Sequence, residues 1–317
     1  MIKRPTVGSV PSSQCRDALL RVCLAMPGTL TAEMLDDALI RASAEDLGPM
    51  RGITSLIVAM AHVSDLRTKH PLMRQWHALA LREDRRCRLI ETQMNEFAKA
   101  AEALRIEPLM LRGPRLAAAV YPDPHARHSH ALRYLLSSEA DRTVLAEALG
   151  ALGWTTQRPQ SRDNPHFLTF EGHQRVELAL YNRLFAWTHP IAKPLEGDLL
   201  SAIDILGAAQ TEFHARSYRW VCDLVFLLRK KTIASDDLTK EIDHLGFAAS
   251  AQINLAMIQS LIPPDCTARP QLDQLQTGLK GRRNSSRFVR FQTRRKLERR
   301  LGRRTAPYRL WFNRNIP

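Results

Sequence analysis

Apolar positions along the chain change their period twice. Up to about residue 105 they recur every three to four positions, the spacing that gathers side chains on one face of a helix. In residues 12–25 these positions are Ala18, Leu19, Val22 and Cys23, with Met26 next in register and Pro27-Gly28 as a stop. Thr31 precedes a second helical segment whose apolar face is Leu35, Ala38 and Leu39. Its hydroxyl suits the free amides of a first helical turn. A third apolar stretch covers residues 53–63, and Pro71 opens a long segment, 72–104, with few breakers.

From residue 106 to 184 the apolar runs shorten and alternate with helical ones. A strand is predicted over 108–111, then a turn at Arg112-Gly113, a helix over Pro114–Val120 and a break at Tyr121-Pro122-Asp123-Pro124. A second strand covers 131–136. Glu139 and Asp141 open a helix with Val144, Leu145, Ala148, Leu149 and Leu152 on its apolar face and Gly153 as its stop. Residues 154–158 suit a strand, 163–165 a turn, and 166–171 and 175–181 alternate about Gly172 as a hairpin. After Pro190 and Pro194 the helical period returns over 199–209, 212–230, 235–245 and 249–261, with Ser235 as a cap, Gly246 as a stop and Pro263-Pro264 closing the globular body. The expected class is α+β: a small mixed sheet (106–190) between helical regions (1–105 and 191–277), followed by a tail (278–317).

Charge sharpens the last boundary. The formal net charge of the 317 residues is +14, but fourteen Lys and Arg and a single acid, Glu298, lie between residues 278 and 317. The rest of the chain is nearly neutral. The tail interleaves this charge with Phe288, Phe291, Tyr308, Trp311 and Phe312, so residues 280–314 suit a nucleic acid or an anionic membrane surface as partner. No apolar run is long enough for a transmembrane segment, and no secretory leader is visible. Five scattered cysteines without a Cys-x-x-Cys pattern imply free thiols, and with them a cytoplasmic location.

The middle region carries an ordered set of motifs: Leu111-Arg112-Gly113 before a helix, Tyr121-Pro122, Arg127, the strand Ala131-Leu132-Arg133 leading into Tyr134-Leu135-Leu136, then Val176-Glu177-Leu178-Ala179 and the downstream segment Arg219-Trp220-Val221-Cys222-Asp223-Leu224. In order and spacing this set resembles the bacterial family of uncharacterised nucleotidyltransferases, within the minimal nucleotidyltransferase superfamily. The resemblance implies a small mixed sheet with flanking helices. It also implies transfer of a nucleoside monophosphate to an acceptor, with a divalent metal held by an Asp-x-Asp strand and a later acid. The later acid maps to Glu177, the one catalytic candidate. The Asp-x-Asp positions map to Ala131 and Arg133, and Ala179 stands where histidine is usual.

Those departures fall on the chemistry. Magnesium needs oxygen ligands; alanine offers none and arginine only donors. An Arg133 guanidinium aimed at a divalent ion about 4 Å away would meet a repulsion of about 8 kcal/mol at an effective dielectric near 20. No metal ligands are therefore assigned, and Mg2+ enters as a cofactor only if the protein is active. The glycine turn remains, and amides there with Arg112, Gly113, Arg127 and Arg133 form a candidate site for a nucleotide or another phosphate. The leading expectation is a degenerate nucleotidyltransferase that binds nucleotide without metal. The rivals are an active enzyme using Glu177, and a polyanion-binding protein working through its tail.

Other candidates have ordinary readings. His125, His128 and His130 fit no zinc spacing and read as a solvated loop. His173 and His214 have nothing to place them near the turn. Cys222, among Trp220, Val221 and Leu224, reads as a buried apolar residue. Acid pairs at Glu139/Asp141, Glu196/Asp198 and Glu241/Asp243 lie away from any strand beside the turn, the first of them at a helix start that suits acids.

Overall fold

The computed structural model describes residues 11–26, 28–45, 47–129, 131–157, 167–172, 176–185, 188, 195, 197–211 and 218–301. Among these are twelve α-helices and a five-stranded mixed sheet, an α+β fold. Helix α1 (Ser13–Cys23) starts where the Ser12 hydroxyl accepts the Cys15 amide, and α2 (Ala32–Ser43) where Thr31 accepts that of Met34. A 3-10 turn leads into α3 (Thr54–Val63), which is buried from Thr54 to Ala61. Pro71 is the first residue of α4 (Pro71–Ala103), whose 33 residues span about 50 Å at 1.5 Å each.

That length lets α4 serve two cores. Met73 and Trp76 sit in the larger one, while Ile90, Phe97 and Ala101 belong to a second core under the sheet. The strands are β1 (Leu109–Met110), β2 (Ala131–Leu135), β3 (Thr155–Gln157), β4 (Phe167–Glu171) and β5 (Glu177–Tyr181), in the order β1-β2-β5-β4-β3. Only β2 and β5 run parallel. Helix α5 (Pro114–Val120) lies between β1 and β2, and α6 (Glu139–Ala151) between β2 and β3. Side chains alternate across a strand. Leu132, Tyr134, Leu178, Leu180 and Phe170 therefore share one face, where they pack with Leu145 and Leu149 of α6 and with α4. There Phe97 stacks on Tyr134 at 4.1 Å between ring centroids. The opposite face carries Ala131, Arg133 and Leu135 of β2 with Glu177, Ala179 and Tyr181 of β5.

The larger core joins both ends of the chain. It contains Leu19, Leu39 and Ile57 from the first helices and Val221, Leu224 and Leu228 of α8 (Arg219–Arg229). It continues through α7 (Gly197–Thr211), α9 (Ser235–His244) and α10 (Ala248–Leu261). Arg229 of α8 donates to the Leu24 carbonyl, so the flanking helical regions also meet by a polar contact. All five cysteines are buried free thiols, Cys222 among them. No helix among the described residues is long and apolar enough to cross a membrane.

Two expectations fail. Ser235 does not cap α9; Ala234 occupies that position, and the Ser235 hydroxyl donates to Gln274. Pro263-Pro264 does not close the globular body. Helix α11 (Arg269–Leu279) follows and buries Leu272, Leu275 and Leu279, and Phe288 of α12 (Ser286–Leu301) is 1% exposed. Two prolines stop a helix, but they say nothing about whether the next one packs. Arg287 and Arg290 of the basic segment are exposed, and residues 302–317 lie outside the described residues. Because Phe288 fills a core site against Phe247, Phe288→Ala should cost about 3–5 kcal/mol of unfolding free energy. Urea denaturation of the full chain measures this; a loss within experimental error would mean that α12 is not part of the folded body.

Candidate functional site

The turn between β1 and α5 is built from backbone first. Arg112 has φ +45° and Gly113 φ +66° with ψ −135°. The second is a conformation open to glycine and costly for other residues. Pro114 starts α5 at a position whose N–H would be unused anyway. The Leu111 amide donates to the Arg133 carbonyl at 2.8 Å. A Cβ on Gly113 would lie 3.8 Å from the Ala131 carbonyl oxygen. The glycine turn therefore abuts β2 at the residues that the motif order assigned to metal.

On the sheet face beside this turn, Ala131 pairs with Glu177 and Arg133 with Ala179. Glu177 in turn stands opposite Glu171, and Ala179 opposite Thr169. The donor set does not fit a magnesium site, since a methyl group and a guanidinium occupy the two positions nearest the turn. Among the described residues no three His, Cys, Asp or Glu side chains are gathered to hold a metal ion. Glu171 is the residue that motif reading missed; only the hairpin register brings it beside Glu177.

Arg112 and Arg127 each face a buried aspartate. Arg112 Nε lies 2.8 Å from Oδ2 of Asp204, a buried residue of α7, in an ion pair whose angle is poor for a hydrogen bond. Arg127 is 5% exposed and grips Asp223 of α8 with two parallel hydrogen bonds of 2.8 Å, from Nε and Nη2. Its Nη1 donates to the Ser129 hydroxyl, and the Tyr121 hydroxyl donates to Asp223 at 2.6 Å. Burial opposes ionisation of Asp223, but Arg127, Arg219 and Tyr121 hold its carboxyl below the usual range. Burial likewise works against the Arg127 charge, and Asp223 overrides it. Arg219 donates to the His128 carbonyl, while burial and the neighbouring Arg127 pull its pKa down. Tyr121, Arg127, Arg219 and Asp223, scattered through the motif set, are thus one buried cluster tying the Tyr-Pro segment to α8.

The histidine segment is no solvated loop. His125 Nδ1 is 2.6 Å from Asp84 and its Nε2 2.9 Å from Glu91, both on α4. Two carboxylates facing both ring nitrogens require an imidazolium. Burial lowers the His125 pKa, but Glu91 and Asp84 outweigh it and raise the value. His128 Nδ1 lies 2.6 Å from buried Glu83, whose carboxyl is raised by burial but, on balance, lowered by His128 and Arg86. The signal available in the sequence was Glu83, Asp84 and Glu91 on one stretch of α4, though nothing local placed them opposite the histidines. His130, His173, His214 and Glu196 lie outside the described residues. Of the acid pairs, Glu139 and Asp141 begin α6 behind the Ser138 cap, Asp198 binds Lys230 and Thr232, and Asp243 binds Arg282.

Residues 50–263, more than half of the chain, match the family described as uncharacterised nucleotidyltransferase. The chain belongs to that family. The match spans α3 to α10 and so includes the turn, the sheet and both aspartates of the arginine pairs. It supports a nucleotidyltransferase-like function of the transferase class. A search of curated proteins and a search of solved structures each return no match.

Two measurements test these contacts. Asp223→Ala leaves the Arg127 charge buried and unpaired and should cost about 3–5 kcal/mol, whereas Tyr121→Phe removes one donor to a carboxylate that keeps Arg127 and should cost about 1.5–2 kcal/mol. Equal costs in urea denaturation would contradict this ranking. The histidine contacts predict a pH window. A raised His125 pKa adds stability that is complete below the ordinary value of 6.5 and lost as pH rises through the folded value. Asp84, whose carboxyl is held low by Arg88 and by His125, adds stability that is complete above 3.8 and lost as pH falls through the folded value. The melting-temperature advantage over His125→Ala should therefore peak between about pH 4 and 6.5 and shrink as pH rises further. An advantage independent of pH would show that the imidazolium is not the source.

Proposed function

We propose that this family member binds the phosphates of a nucleotide at the Leu111-Arg112-Gly113 turn without a metal ion and does not carry out metal-dependent transfer. The observation that carries this reading is the pairing on the sheet face: Ala131 beside Glu177 and Arg133 beside Ala179, directly against the Gly113 turn. A guanidinium at that position supplies the positive charge that a divalent ion supplies elsewhere, with donors suited to phosphate oxygens. Gly113 lets the backbone approach the ligand closely. Arg112 and Arg127 act by holding the turn and the Tyr-Pro segment through Asp204 and Asp223. With seven residues, α5 is a small source of helix dipole, so Arg133 is the main electrostatic partner.

The rival reading, an active enzyme, has one observation in its favour: Glu171 stands opposite Glu177, two carboxylates on one face. Calorimetric titration of the full chain with ATP, GTP, CTP and UTP, in Mg2+ and in EDTA, separates the two. Metal-independent binding predicts a saturable signal of similar affinity in EDTA. Arg133→Asp should weaken it at least roughly tenfold, the equivalent of about 1.4 kcal/mol. Binding that vanishes in EDTA, or Mg2+-dependent transfer of a labelled nucleotide to an acceptor, would overturn the proposal.

A further inference from the structure

Behind the glycine turn, on the side of α5 that faces α4, lies a cavity of about 360 Å³. Its apolar walls include Ile90 and Met94 of α4, Met110 of β1, Ala117 and Ala118 of α5, and Pro124. Arg133, Glu177 and Glu171 are not part of it, so it is separate from the sheet face. Interiors rarely leave voids much larger than a water molecule, and apolar walls normally collapse on such a space. Here collapse is resisted from both sides. Residues 121–129 cross from α5 to β2 and are pinned to α8 by Tyr121 and Arg127, and to α4 by His125 and His128. The polar clasps hold α4 and α5 apart, and the gap between them is the cavity.

We propose that this cavity is a second ligand site, for an uncharged small molecule with a planar aromatic body. Size sets the first limit. A cavity of roughly 150 Å³ lined by apolar residues takes benzene, so the present one takes about two to three rings. The methionines set the second, because thioethers make favourable contacts at aromatic ring edges. The charged groups on the wall set the third. His125 is matched by Asp84 and Glu91 and Arg127 by Asp223, while Arg115, also on the wall, is the last and smallest of the influences that lower Asp198. With the His125 and Arg127 charges already opposed by protein groups, an ionic ligand would be desolvated without a counter-charge. Cys87 on the wall is no nucleophile: burial and the nearby Glu83 push its thiol pKa up to about 12. The Ser129 hydroxyl, which accepts from Arg127, is left to donate to a ligand carbonyl or hydroxyl.

Fluorescence titration of the full chain with N-phenyl-1-naphthylamine, an uncharged two-ring-system probe, tests the site. One saturable, blue-shifted binding event per chain is expected. Ala118→Trp fills the exposed mouth and should weaken binding at least roughly tenfold, with Ala118→Leu intermediate; Leu81→Trp, which puts the same indole on a position 72% exposed, should leave it unchanged. Uncharged 2-naphthol should displace the probe at least roughly tenfold more effectively than 2-naphthoate. The absence of saturable binding, or equal binding by wild type and both Ala118 variants, would overturn the site. Loss of binding in Leu81→Trp would overturn it too. Equal displacement by 2-naphthoate would overturn the uncharged assignment. Displacement by ATP would show that the cavity and the sheet face are one site, whereas failure of nucleotide binding in the calorimetry leaves this proposal standing.

Discussion

Arg127 and Asp223 meet through two parallel hydrogen bonds of 2.8 Å inside the protein, and the join between sheet and helical body forms around that contact. Removing two charges from water is costly, and a buried pair is tolerated where geometry is good and the remaining donors are used. Both conditions hold: Arg127 also serves Ser129, and Asp223 also accepts from Tyr121. The consequence is positional. The segment between α5 and β2 has little regular structure to hold it, yet it is fixed to α8 at Tyr121 and Arg127 and to α4 at His125 and His128. With its ends fixed, β2 starts in register beside β5, and the glycine turn sits against Ala131.

That arrangement changes what the arginines can do. Three arginines, Arg112, Arg127 and Arg133, cluster near the turn in the motif order, which suggests a strongly positive phosphate site. Arg112 and Arg127 are each opposed by a buried aspartate from the helical region. The framework of a nucleotidyltransferase is thus kept by ion pairs that do not depend on metal. The frame persists with alanine and arginine at the positions that the motif order aligns with metal ligands.

Regular structure was legible wherever local physics dominates. The Thr31 cap, the Pro71 start of α4, the α5 bounds Pro114–Val120 and the hairpin about Gly172 all follow from neighbours within a few residues. Readings failed where the partner was distant. Pro263-Pro264 stops a helix but does not end the core, because the sites that receive Leu272 and Phe288 are made by other helices. The histidine segment read as solvated because its carboxylates lie 34 to 45 residues earlier on α4.

The glycine turn was thus visible in the sequence, as were the missing acids beside it. Backbone conformation and side-chain chemistry are local properties, and the residue types alone determine that Ala131 and Arg133 cannot ligate magnesium. Only the tertiary structure decided which charges meet. Asp204 and Asp223 neutralise two arginines, the hairpin brings Glu171 beside Glu177, and the pinned segment keeps a cavity open behind α5. Each of these depends on residues far apart in the chain meeting in space, where the balance of desolvation and charge is set by the fold.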